Sequence, residues 1–359
     1  MIKFLIILTL ALFSITSSAT ADIIDDVYIT LSADYINSHS NKEIMLKGIK
    51  ALTKTDKSVK FKYTKDKLFF YYNKKMIQSF PMPQENEDAQ KWADFTKDII
   101  KKAMEVSPKI ELLDFEIPDR FAQAVFDGLD GYSHYYGKFS DKADKKPRIR
   151  RNFATRIVDN DILLIKILAF RKDVNQKVKT AIDECSKCKA LILDLRGNHG
   201  GLFDEALKIT DMFLDEGIVT YTLSKDGVSP KFYTSTAGDV FNNKPIVILV
   251  DGFSASASEI LSAALSEQNR AVLIGTKTYG KGTVQDVLKD GKGSTMSITT
   301  SYFYTPGGNV IDKKGLTPAI CTGGLKLGHL VTDGICDKED RFTKDADVEI
   351  AVKFLNNEI

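Results

Sequence analysis

After residue 21 the chain has no apolar run approaching the roughly 20 residues that a helix needs to cross a bilayer, so the sequence offers no membrane span beyond its N-terminus. It also lacks a dominant charge: 50 basic against 48 acidic side chains leave a formal net charge of +2, which gives no overall electrostatic reason to expect a nucleic-acid partner. Internal repeats and low-complexity tracts are missing, and a 43% hydrophobic fraction over 359 residues excludes a fibrous or disordered chain. What remains is a globular protein large enough for two units.

The first residues carry Lys3, an apolar stretch from Phe4 to Ile15 and then Ser17, Ser18, Ala19, Thr20 and Ala21. This reads as a secretory signal peptide over 1–21, cleaved after Ala21; a membrane anchor is the alternative, and the apolar run is short for one. Export predicts a periplasmic or secreted protein with no stable membrane span once the signal is removed. An oxidising compartment makes Cys185, Cys188, Cys321 and Cys336 disulfide candidates. Cys321 with Cys336 would staple a glycine-rich loop, and Cys185 with Cys188 would close a small ring. A zinc site lacks a second closely spaced pair, and a reactive Cys-x-x-Cys belongs at a helix start, whereas Cys185 falls at a helix end. Free thiols are the remaining alternative.

Residues 22–137 read as a mainly helical accessory domain. Helical periodicity covers Ile23 to Ile36, Ile44 to Leu52, Asp88 to Val106 and Pro118 to Leu129. Between them the segments 59–63, 67–72 and 76–80 predict a small β-meander with Thr-Lys-Asp and Asn-Lys-Lys turns. Residues 138–156 read as a linker, basic from Lys138 to Arg151: a solvated run, or a dock for an acidic partner or anionic lipid. From 157 to 325 the pattern changes. Ile162–Phe170, Ala190–Leu195, Ile246–Val250 and Ala271–Ile274 predict strands, alternating with helices at Val174–Cys185, Phe203–Leu214 and Glu259–Leu265. Such alternation means crossover units and a largely parallel sheet covered on both faces, an α/β fold. Strands follow one another from Thr283 to Thr305, and 326–359 is a C-terminal extension with a helix.

Three segments carry chemistry. Ser256 lies where a buried strand turns into a helix, the place for an acyl-transfer nucleophile, since the helix end offers unpaired N–H groups to an oxyanion. Ser256-x-x-Glu259 is equally a capping box, in which the serine only closes the helix. Lys281 stands between Gly280 and Gly282; desolvated, it could act as a general base, and Gln285 four residues on could orient its amine, although a surface lysine is the plainer reading. Gly200-Gly201, in the turn after Asp194, can aim N–H groups at developing negative charge. His199 invites a Ser-His-Asp reading but has no separate orienter in the sequence.

Together these segments resemble the C-terminal-processing, or tail-specific, serine peptidases. The family's motifs appear in order as Asp194 to Gly201, Ser256 to Glu259 and Gly280 to Gln285. Tyr304-Thr305-Pro306-Gly307-Gly308 follows, and a weaker match runs from Phe126 to Ser133. The resemblance implies a crotonase/ClpP-like catalytic core and a serine endopeptidase acting on polypeptides through a Ser-Lys dyad. Its nucleophile would be Ser256, its base Lys281 and its assisting residue Gln285. The oxyanion would be held by the N–H of Ala257 and one from Gly200 or Gly201, and no metal or cofactor is implied. Ser254 and Ser258 would be bystanders. The helical region of such proteins often mediates self-association, so a homo-oligomer or an adaptor is the implied partner. One departure stands out: about 25 residues join Tyr136 to Ile162, too few for the peptide-binding PDZ domain that the family usually inserts there. The rivals are a catalytically idle scaffold on a protease fold and a hydrolase using His199.

Overall fold

The computed structural model describes residues 23–137, 152–236, 238–289, 293–325, 334–340 and 345–359. The expected signal peptide and the basic run 138–151 lie outside them. The chain divides into two units, one of Met1–Ala33, Ser38–Ser140 and Leu288–Met296, the other of Asp34–Asn37, Asp141–Val287 and Ser297–Ile359.

The first unit holds α1 (Ile23–Ala33), α2 (Asn41–Gly48), α3 (Lys50–Thr55), α4 (Ala89–Val106), α5 (Pro108–Glu111) and α6 (Ile117–Phe126). Its strands are β1 (Val59–Tyr63), β2 (Lys67–Tyr72), β3 (Lys75–Pro81) and the short β4 (His134–Tyr136). In α4 the residues Trp92, Phe95, Thr96, Ile99, Ile100 and Ala103 recur at helical spacing and are buried, with Asp88 capping the first turn. Tyr28 of α1 satisfies its buried hydroxyl on Thr96 Oγ1 at 2.8 Å. β1, β2 and β3 form an antiparallel meander in which Asn73 and Lys74 both take positive φ, the geometry of a tight hairpin turn. The periodicity from Ile44 to Leu52 is split between α2 and α3. The break follows Gly48, where an added Cβ would lie 2.0 Å from the Phe121 ring of α6.

In the second unit a six-stranded sheet runs in the order β14-β11-β10-β7-β6-β5. Its members are β5 (Phe153–Val158), β6 (Ile162–Ile167), β7 (Ala190–Asp194), β10 (Ile246–Val250), β11 (Val272–Gly275) and β14 (Ile320–Cys321). All neighbours are parallel except β5, which pairs antiparallel with β6 and occupies the end of the stretch read as a linker. The near-continuous apolar runs follow from burial on both faces. Leu163, Ile165, Ile167, Leu191, Leu193, Ile248 and Val250 face a core with α7 (Val174–Glu184), α8 (Phe203–Asp211) and α9 (Ala257–Glu267). Ile162, Leu164, Ile192, Val247, Leu249 and Ile274 face the opposite core, closed by Val348, Ile350 and Ala351 of α10 (Ala346–Leu355). Helix α10 is therefore a layer of this unit. A second sheet, not foreseen in full, orders β12 (Thr283–Lys289), β13 (Thr295–Tyr304), β8 (Gly217–Ser224) and β9 (Lys231–Ser235).

Candidate active site

The carboxyl ends of β7, β10 and β11 lie side by side, with Asp194 opposite Leu249 and Val250 opposite Gly275. The three motif segments leave the sheet there, on the edge where open α/β sheets build their sites.

Ser256, half-buried, closes the turn between β10 and α9 at φ 57°, ψ −117°, a left-handed conformation that a side chain adopts at a cost and only where its surroundings hold it. Its neighbours provide that hold. The buried Ser254 hydroxyl donates to Leu195 O and the buried Ser258 hydroxyl to Asn198 O, each at 2.9 Å, while Ala255 N–H donates to Asn198 O at 3.0 Å. The two bystander serines thus bolt the turn to the glycine loop. The helix end is closed by the Ser256 carbonyl, which accepts from Glu259 N–H and Ile260 N–H, and by the Glu259 carboxylate, which accepts Ser256 N–H at 2.8 Å.

Glu259 does more than cap. Fully buried, its Oε1 accepts from the Thr278 hydroxyl at 2.5 Å and Gly280 N–H at 2.7 Å, and its Oε2 accepts Lys281 N–H at 2.9 Å as well as Ser256 N–H. Burial pushes this carboxyl above its ordinary range, against the pull of these donors. Tyr279 N–H adds a bond to Ser254 O at 3.0 Å. The glycines flanking Lys281 allow close backbone approach: a Cβ on Gly282 would lie 2.2 Å from Asp312 N, and Gly280 has φ 84°. Lys281 itself is half-buried.

A Cβ on Gly200 would lie 3.0 Å from Ser256 Cβ and 3.2 Å from Ala257 N, so the glycine loop lies directly against the Ser256 turn. Gly200 N–H is already donated to Asn198 Oδ1 at 2.8 Å, and the Asn198 amide in turn donates to Ile167 O. Ala257 is the first residue of α9, so its N–H is an orphan donor of the helix start. The loop is anchored by Arg196, whose side chain donates twice to Asp194, at 2.9 and 2.8 Å, and to Asp347 in the first turn of α10 at 3.1 Å. Burial alone would raise the Asp194 carboxyl, but Arg196 and Lys166 hold it below the usual range.

Residues 161–322 match the family described as Peptidase family S41. That segment is a family S41 peptidase domain. The chain is 37% identical over 169 residues to the carboxy-terminal-processing protease of Bartonella bacilliformis, covering 45% of this chain and 39% of that protein. It is 38% identical over 203 residues to the carboxy-terminal processing protease CtpA of Bacillus subtilis, covering 55% and 42%. The chain thus spans less than half the length of these two relatives. A solved lipoprotein from Streptococcus agalactiae shares the fold, with a TM-score of 0.51 at 17% identity over 90% of this chain and 99% of that one.

Within the S41 domain, Gln285 is on β12, whereas Lys281 precedes the strand, so strand alternation does not by itself place the two on one face. The Gln285 amide nitrogen donates to Thr283 Oγ1 at 2.7 Å and to Thr299 Oγ1 at 3.4 Å. His199 is exposed, its ring edge-on to Phe253 at 5.9 Å, and among the described residues no carboxylate bonds it. Glu259 and Thr278 were not legible as site residues: the capping box signalled a helix start but not three partners 19 to 22 positions away. The Phe126–Ser133 match is a turn in the first unit, where Asp130 accepts from the N–H groups of Tyr132 and Ser133. Cys185 is bonded to Cys188, and Cys321 to Cys336. Among the described residues no group of His, Cys, Asp or Glu side chains could hold a metal, and no helix is long and apolar enough to cross a membrane.

Proposed function

We propose that the chain is an exported serine endopeptidase in which Ser256 is the nucleophile and Lys281 its general base. The observation that supports this most is the Glu259 carboxylate, whose one buried group binds the N–H of both residues and so keeps their loops in register. In the reaction, neutral Lys281 takes the Ser256 proton as Oγ attacks the peptide carbonyl, forming the C–O bond. The negative charge on the carbonyl oxygen is received by the N–H of Ala257 and that of Gly201, since Gly200 N–H is taken by Asn198. Protonated Lys281 then hands its proton to the leaving amine as the C–N bond breaks. Water, deprotonated by Lys281, hydrolyses the acyl ester and regenerates Ser256. Gln285, whose amide nitrogen donates to Thr283 Oγ1 and Thr299 Oγ1, has its amide oxygen left to accept from the lysine amine during the reaction. Substrates are polypeptides, met after export into the periplasm or outside the cell. With no room for a PDZ domain before Ile162, selection falls to the protease cleft, the helical unit or an adaptor.

Casein hydrolysis by the chain from Asp22 tests this reading. Ser256→Ala is expected to stop it, and His199→Ala to leave the rate within about threefold, since His199 takes no part. Loss in the histidine variant with activity kept in the serine variant would reverse the assignment, and an inert parent chain would point to an idle scaffold.

A further inference from the structure

Beyond the matched residues 161–322, Gly334–Asp340 forms a strap that contacts both of the segments leading to Ser256 and Lys281. It is fastened in three ways. Cys336 is disulfide-bonded to Cys321 of β14, Ile335 N–H donates to Gly323 O at 2.7 Å, and Gly324 N–H donates to Asp340 O at 2.8 Å. The contact is backbone on backbone: a Cβ on Gly334 would collide with Cys321 O and one on Gly323 with Lys338 O. From this fastened position the strap reaches both loops. Cys336 O accepts Lys277 N–H at 2.9 Å, and Glu339 Oε1 accepts Gly252 N–H at 2.9 Å and the Thr276 hydroxyl at 2.6 Å. Gly252 begins the nucleophile turn, four residues before Ser256, and Thr276 begins the lysine loop, five before Lys281.

We infer that Glu339 is a positioning residue for the reaction, setting the spacing of the Ser256 turn and the Lys281 loop from outside as Glu259 does from inside, and that the Cys321–Cys336 disulfide keeps it in place. This rests on the Ser256–Lys281 reading. Glu339 is exposed, so water competes for both of its contacts, and a free strap would exchange them for solvent. The disulfide removes that freedom by confining the loop. Reduction by a dithiol converts the bond to two thiols while the dithiol becomes a disulfide; the strap then loses its covalent tie and is held by non-covalent contacts. Because a small misplacement of reacting groups costs rate more than binding, the effect falls on kcat.

The test uses the chain from Asp22 with a peptide substrate. Glu339→Ala is expected to lower kcat about 10- to 100-fold, with KM and Tm near the parent values. Glu339→Gln should recover most of the loss, because a single oxygen makes both contacts. Dithiothreitol should lower the parent kcat similarly and leave Glu339→Ala unchanged, the two perturbations acting through one contact. A kcat of Glu339→Ala within twofold of the parent overturns the proposal. Full sensitivity of that variant to dithiothreitol overturns the disulfide's part. Amide exchange of residues 276–281 reads the same coupling without turnover: faster exchange in Glu339→Ala supports it and unchanged exchange refutes it. An inert parent with faster exchange in the variant would sink the peptidase reading and leave the coupling standing.

Discussion

Replacing Lys281 by alanine is expected to lower peptide hydrolysis by about 10⁴-fold or more, the scale seen when a serine enzyme loses its base. The fold should survive, because the contact that ties this residue to Glu259 is made by its main-chain N–H, which alanine retains. Arginine at the same position sharpens the point. It keeps a cation near Ser256 but cannot give up its proton at any accessible pH, so it should be as inactive as alanine. Rates compared with thermal melts of the two variants check this. An active arginine variant would mean that the position supplies charge rather than a base.

Glu259→Gln should cost both activity and stability. Four donors, from Ser256, Thr278, Gly280 and Lys281, converge on its two oxygens. Glutamine offers one acceptor oxygen and an NH₂ group that meets donors with donors, leaving at least one buried N–H unpaired, which costs about 2–3 kcal/mol. Since two of those N–H groups belong to Ser256 and Lys281, the proposed nucleophile and base, turnover should fall about 10²-fold or more even where the variant is folded. The pH dependence of stability provides a second readout. Burial raises the folded-state pKa of Glu259 above its unfolded value, so its contribution is complete below the unfolded pKa and declines as pH rises through the folded one. The parent Tm should therefore carry a decline beginning above the ordinary value of 4.5 that the glutamine variant lacks. Identical pH profiles, or unchanged turnover, would show that the four contacts do not govern the site.

Much of this arrangement is legible in the sequence because its signals are local. Ile246–Val250 reads as a buried strand, its residues apolar on both faces, and Ser256 sits at the strand-to-helix turn that follows. The glycines around Lys281 likewise announce a close backbone approach. What depends on distant partners is not legible. Glu259 looks like the far end of a capping box, and only the folded chain brings Thr278, Gly280 and Lys281 to its carboxylate. Ser254 and Ser258 look like alternatives to Ser256 until their hydroxyls are found bound to the main chain at Leu195 and Asn198. The helix from Ala346 to Leu355 reads in the sequence only as a helix in a C-terminal extension, and its role in closing one face of the sheet comes from Val348, Ile350 and Ala351 packing against buried residues of β6, β7, β10 and β11. β8 and β9 were missed because they pair across a bulged register with mostly half-buried and exposed residues, which weakens their alternation.

The central claim is that Ser256 Oγ becomes acylated, and acid-quenched mass spectrometry of the chain from Asp22 mixed with an activated peptide ester tests it most directly. The account predicts an intermediate heavier by the acyl group, with the adduct on the peptide containing Ser256 and none formed by Ser256→Ala. An adduct on another residue, or turnover continuing in Ser256→Ala, would contradict it.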